Sequence, residues 1–255
     1  MNPTNHKAHD AVRVWDAPTR VFHWLLALSF ALAYASGEEE RWLVLHVTMG
    51  YTVAALVAWR LLWGLIGTRH ARFADFVRGP VAWARYARSL LRGAPEHFRG
   101  HNPLGGAVIV TMLLLGALVP LSGWSALYGL PSPGVAHALE EVHEALANAF
   151  IALVVVHVAG VIVSGWLHRD NLVRAMLTGI KPVPRADATH STHSTRVVQA
   201  WTLLGWLMLV AVLSFWGWRW SQRAELGPEL QARVEQAEAG HEEDRKGGSH
   251  KDDDD

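Results

Sequence analysis

The segment EEVHEALANAFIALVVVHVAGVIVSGWL, residues 140–167, decides how the rest of this chain is read. Beyond Glu144 it contains no charged side chain, and the apolar run is long enough for an α-helix to cross about 30 Å of hydrocarbon. Within it His143 and His157 are fourteen residues apart. That separation is about four helical turns and a rise of about 21 Å, so the two imidazoles lie on nearly one face but near opposite sides of a bilayer. An imidazole in lipid costs free energy unless its ring nitrogens are used, which makes both histidines functional candidates.

Working outward, apolar windows predict membrane spans at 21–36, 43–66, 104–121, 142–167 and 197–218, with charged residues collected between them. This is membrane patterning, even though the whole chain has a formal net charge of zero. Between the second and third windows stand Arg69, Arg72, Arg78, Arg85, Arg88, Arg92 and Arg99, against Asp75 and Glu96, which places that loop in the cytoplasm by the positive-inside rule. Glu38, Glu39 and Glu40 after the first window, and a connection without Lys or Arg from Gly105 to Val142, lie on the other side. Arg169, Arg174, Lys181 and Arg185 return the chain to the cytoplasm. The expected protein is a multi-pass bacterial inner-membrane protein with a cytoplasmic N-terminus and a periplasmic C-terminus. The start of the chain is polar and lacks a cleavage signal, so the first span is expected to be retained. Many of the thirteen tryptophans fall near span ends, as an interfacial belt requires.

With no cysteine, the chain excludes its own iron–sulfur cluster, thioether-attached haem or thiol redox couple. Two further histidines in apolar segments, His23 and His46, complete the candidate set. In the topology above, His23 and His157 share the cytoplasmic depth and His46 and His143 the periplasmic depth, so each pair is predicted to hold one iron. Two stacked bis-histidine haems b per chain satisfy this pattern; two strong axial ligands favour electron transfer over oxygen binding. Structural zinc fits less well, since it wants four ligands at one depth. Small residues beside the candidates, Gly50, Ala54, Ala55, Ala147, Gly160 and Gly165, leave room for a porphyrin or for close helix packing. Arg13, Arg20, Arg169 and Lys181 are candidate partners for propionates of the inner haem, or anchors to anionic lipid. His70, His101 and His168 are expected to be solvated near the cytoplasmic face, with a haem-propionate or quinone contact as the alternative; His137 is expected in a periplasmic loop, and His190 and His193 as linker residues.

The strings Val12-Arg13-Val14-Trp15-Asp16, Phe22-His23-Trp24, His46 with Gly50, Asn102-Pro103-Leu104-Gly105-Gly106, Glu141 to Asn148 running to His157, and His168-Arg169-Asp170-Asn171-Leu172 together resemble the bacterial cytochrome b561 family. Within it the resemblance is to the branch containing the b-type cytochrome subunits of nickel-iron hydrogenases, and it covers about residues 13–181. It implies an all-α, four-helix membrane bundle with two b haems, with His23, His46, His143 and His157 on the ligand positions. It also implies electron exchange between quinone and a partner redox protein, a periplasmic cytochrome c or an enzyme subunit.

The expected organisation is a cytoplasmic segment 1–20, a di-haem domain 21–181, a linker 182–196, a fifth transmembrane helix 197–220 and a periplasmic polar tail 221–255. The tail is expected to form a short helix at 224–239 followed by disorder, with a tag-like end. Besides lipid and quinone or quinol, homo-oligomers are compatible with the sequence; nothing in it points to nucleic acid. The alternatives are a self-sufficient superoxide:quinone oxidoreductase and a haem-free anchor for a partner.

Overall fold

The computed structural model describes residues 9–92, 98, 101–128, 133–168, 171–184 and 195–248. In chain order these form β1 (His9–Arg13), α1 (Ala17–Ala35), α2 (Leu43–Ile66), the short α3 (Phe73–Phe76), α4 (Pro80–Leu91), α5 (Pro103–Leu127), α6 (Pro133–His168), α7 (Leu172–Thr178), β2 (Ile180–Pro184), α8 (Thr195–Ser221) and α9 (Arg223–Gly248). Four helical stretches, Glu40–Ile66, Pro103–Leu127, His137–Leu167 and Arg196–Ser221, are long and apolar enough to cross a membrane; α1 is not among them. Their outward faces carry exposed apolar side chains such as Val155, Val156, Ile162 and Val163 on α6 and Leu203, Leu207 and Val210 on α8. In water such faces are a liability; in lipid they are solvated by chains as apolar as themselves.

The chain divides into two compact units, each drawing segments from the same long helices. The first comprises Met1–Trp24, Trp59–Thr111 and Leu153–Val210. Its organising residue is Asp16, 3% exposed. One carboxylate oxygen accepts the Thr19 backbone N–H at 2.7 Å, capping the first turn of α1, and the other accepts from Trp63 Nε1 at 3.1 Å and Thr68 Oγ1 at 2.6 Å. Just before it, β1 pairs antiparallel with β2, with Val12 opposite Lys181 and Arg13 opposite Ile180. Asn171 caps α7 by accepting from Arg174 N at 2.7 Å, and Gly179 ends that helix at φ 81°, its carbonyl receiving the Val14 and Trp15 N–H groups. A Cβ at Gly179 would sit 2.6 Å from the Trp15 carbonyl oxygen, so both the backbone sign and the close approach demand glycine. At the start of α5, Asn102 Oδ1 accepts Gly105 N at 2.7 Å, and Gly106 lies where a Cβ would be 2.7 Å from the Phe76 carbonyl.

The second unit comprises Leu25–Ala58, Met112–Ala152 and Ala211–Asp255. Its core includes Met49, Val53, Leu56 and Val57 on α2, and Phe30 of α1 packed on Phe150 of α6 at 4.3 Å between ring centroids. The C-terminal helices are fastened to it: Trp216 Nε1 donates to Thr52 Oγ1 at 2.9 Å, Arg219 Nε donates to Thr48 Oγ1 at 3.1 Å, and Leu230 of α9 is buried.

Four expectations change. The all-α reading acquires a small two-stranded sheet, because the segments flanking the bundle find each other through the Gly179 turn. His137 lies in α6, which begins at Pro133, rather than in a loop, and there faces Glu140 and Glu141 at 3.8 and 3.7 Å. The basic stretch after α2 contains an amphipathic helix, α4. Helix α9 extends to Gly248 instead of stopping near 239, with Pro228 accommodated in it. The tag-like end from Ser249 onward, Arg169, His190 and His193 lie outside the described residues.

Candidate cofactor-binding site

In the second unit the rings of His46 and His143 face one another with centroids 5.9 Å apart and planes at 84°. His46 comes from the first turn of α2 and His143 from α6. His46 Nδ1 lies 2.9 Å from the carbonyl oxygen of Ala33 in the last turn of α1, which also accepts from Ser36 N and Ser36 Oγ at 3.2 Å. His143 Nδ1 lies 2.8 Å from the Val119 carbonyl of α5 and 3.3 Å from Ser122 Oγ. A carbonyl only accepts, so each Nδ1 carries the proton, and each Nε2 presents a lone pair. This is the tautomer a metal-ligating histidine needs, with its ring orientation fixed by the other nitrogen. The backbone is shaped around these rings: a Cβ on Gly123 would stand 2.8 Å from His143 Cε1, and one on Gly37 would be 3.5 Å from the His46 ring.

In the first unit His23 of α1 and His157 of α6 face one another at 6.5 Å between centroids, with planes at 53°. His23 also meets Trp24 edge-on at 5.0 Å, and its buried Nδ1 has no hydrogen-bond partner among the described residues. The structure thus brings the four predicted histidines together as two pairs, the same two that the depth argument couples.

Do these residues fit a haem? With metal–imidazole bonds of about 2.0–2.1 Å and ring centroids ~1.1 Å behind each nitrogen, two imidazoles on opposite sides of one metal ion have centroids ~6.3 Å apart. The observed 5.9 and 6.5 Å bracket that value. Two donors per pair are what a porphyrin's four equatorial nitrogens complete, and no cluster of three or more His, Cys, Asp or Glu suited to a metal ion occurs among the described residues. At Gly50, one helical turn after His46, a Cβ would meet nothing within 4 Å, so there is open space on the ligand's own side of the helix. The residues fit the group.

The remaining candidates divide. His101 is not a solvated loop residue: its ring packs on Trp15 at 4.6 Å and Phe76 at 4.8 Å, and its Nδ1 is enclosed without a partner among the described residues. Burial pushes its pKa down to about 3, and the positive charge of Arg60 adds to the effect, as do His157, His70 and His23 in turn. His70 Nδ1 lies 3.1 Å from Asp75 Oδ2. Arg20 donates through Nη1 to the Leu177 carbonyl, and Lys181 Nζ donates to the Phe98 carbonyl at 3.4 Å. Sequence reasoning missed Ser122 and Gly123, whose roles depend on where α5 passes α6. It also missed Arg60, which carries a readable signal as the sole charge in the apolar run of α2.

Long apolar helices carrying two facing pairs of half-buried imidazoles define the class, a helical membrane protein. The comparisons give the particular family: residues 14–179 match the model of prokaryotic cytochrome b561, and the chain belongs to that family, whose members are b-type and hence haem b proteins. It is similar to a Rhodobacter capsulatus protein named "Probable Ni/Fe-hydrogenase B-type cytochrome subunit", at 24% identity over 214 residues, covering 66% of this chain and 80% of the relative. An Azotobacter vinelandii protein of the same name is 24% identical, covering 66% of this chain and 88% of the relative. One from Cupriavidus necator is 22% identical, covering 69% and 88%. No solved structure matches the chain.

Proposed function

We propose that this chain is a di-haem membrane cytochrome that transfers electrons between the quinone pool and a partner redox protein. The observation that supports it is the pair of facing imidazole couples, each at the separation of two axial ligands on one iron. His23 and His157 would hold the inner haem and His46 and His143 the outer. Haem b would supply a one-electron iron couple there. The protein's part is to fix the ligands and exclude water. At the outer site the Ala33 and Val119 carbonyls hold the two rings in the binding tautomer; at the inner site Trp24 meets the His23 ring edge-on.

The names of the relatives make a nickel-iron hydrogenase the first partner to test, ahead of a periplasmic cytochrome c. In this reading the chain sits in the inner membrane with five crossings, residues 197–220 forming the fifth, the N-terminus cytoplasmic and the C-terminus periplasmic. A reduced-minus-oxidised spectrum with a pyridine haemochrome count on purified protein tests the core of it. Two b haems per chain are expected, one remaining when any one of the four histidines is changed to Ala. A colourless protein overturns the reading and leaves a haem-free anchor. Reduction of quinone by superoxide without any added protein would instead indicate a self-sufficient oxidoreductase.

A further inference from the structure

Helix α2 carries one charged side chain, Arg60, and it is buried at 3% exposure in the part of the chain that crosses the membrane. A guanidinium there is expensive unless an anion accompanies it. None does among the described residues. Asp16 is the acid that faces Arg60 electrostatically, but its two oxygens are already committed to Thr19, Trp63 and Thr68. Arg60 instead lies over the faces of Phe73 at 5.1 Å and Phe76 at 5.9 Å, and its buried Nη1 has no hydrogen-bond partner among the described residues.

Arg60 also belongs to the same compact unit as the inner pair. It follows His46 by fourteen residues on α2, the same interval that separates His143 from His157 on α6. His101, which packs on the same Phe76, is within electrostatic reach of Arg60, His157 and His23 together. Among the described residues, Arg60 Nη1 and His101 Nδ1, on two side chains that meet the same Phe76 ring, are buried without a hydrogen-bond partner. Two such donors on one ring point to an oxygen-bearing ligand that the protein chain does not itself provide.

We infer that Arg60, with His101 beside it, binds a propionate carboxylate of the inner haem. The inference rests on the di-haem reading and adds the residue that orients the cofactor's charged edge. A permanent buried cation calls for a permanent anion, which a neutral quinone is not, and a guanidinium matches a carboxylate with two parallel hydrogen bonds. The anion could equally come from a lipid phosphate, and the test separates the two sources.

In the full-length chain carrying His143→Ala, so that the inner site alone is occupied, haem b and its dimethyl ester are titrated into the apoprotein in detergent. The ester keeps the iron and ring but lacks both carboxylates. Haem b is expected to bind at least tenfold more tightly than the ester. Arg60→Gln should remove most of that preference, and Arg60→Lys should restore part of it. Equal affinities for the two haems in the unmutated Arg60 protein overturn the inference without recourse to any Arg60 variant. A preference that survives Arg60→Gln also overturns it, and an Arg60→Gln loss of lipid phosphate from the purified protein with haem preference intact assigns the cation to lipid. Failure of either haem to bind at all, with and without His143→Ala, is a failure of the di-haem reading instead.

Discussion

At the scale of single residues, the chemistry of the candidate site is held by ring nitrogens and by the absence of side chains. Gly123 gives the sharper case: the His143 ring occupies the space its Cβ would need, at 2.8 Å, and that ring is not free to retreat because Nδ1 is tied to the Val119 carbonyl. Gly123→Ala is therefore expected to displace His143 and lower haem content from two toward one per chain, with helical content by circular dichroism unchanged. Gly50 behaves oppositely in the protein alone, since a Cβ there meets nothing within 4 Å. If that space belongs to the outer cofactor, Gly50→Phe folds normally yet loses the same haem that His46→Ala loses; two haems retained in Gly50→Phe would place the cofactor elsewhere. The four histidines are legible in the sequence because a polar ring is costly in an apolar run unless its nitrogens are bound. Ser122 and the two receiving carbonyls are not, because they belong to helices whose mutual rotation no local pattern records.

At the scale of elements, the sequence strings that carry the family resemblance turn out to be joints. Asp16 joins the start of α1 to the end of α2 through three accepted hydrogen bonds at 2.7, 3.1 and 2.6 Å. Asn102 starts α5, Asn171 starts α7, and Gly179 lets the chain turn into β2 beneath Trp15. Removing the Asp16 carboxylate leaves buried donors on Trp63 and Thr68 without an acceptor, at about 1–3 kcal/mol for each group left unsatisfied. Asp16→Ala is expected to lower the thermal midpoint of the detergent-solubilised protein by several degrees, with Asp16→Asn recovering part of it; an unchanged midpoint would show that the joint is not structural. Sequence periodicity reveals where these helices are, but the strand pair and α9 depend on contacts distant in sequence. The tail reads as mostly polar, so the burial of Leu230 and the seating of Arg233 over the Tyr128 ring at 4.7 Å are not visible in it.

At the scale of the whole molecule, the open question is whether α1 crosses the membrane. Length and apolarity select four other helices, and α1 is interrupted near its start by Arg20 and His23. Its contacts nevertheless argue for a crossing: it holds His23 against His157, and Tyr34 Oη donates to Asn148 Oδ1 at 2.8 Å, with both partners on the membrane-spanning α6. Polar side chains in α1 are tolerable in lipid where they pair with polar partners on a neighbouring helix. The two counts make different predictions. With the arginine-rich stretch after α2 in the cytoplasm, as the positive-inside rule predicts, the C-terminus is expected in the periplasm either way. Five crossings put the N-terminus in the cytoplasm, and four put it in the periplasm. The chain has no cysteine, so Thr4→Cys and Gly248→Cys each create a single reporter thiol in an otherwise silent protein. In intact spheroplasts, a membrane-impermeant maleimide is expected to label the thiol at position 248 at once and the one at position 4 only after lysis. Immediate labelling at both would make α1 a peripheral helix and remove the depth argument that sets His23 beside His157 at the cytoplasmic side.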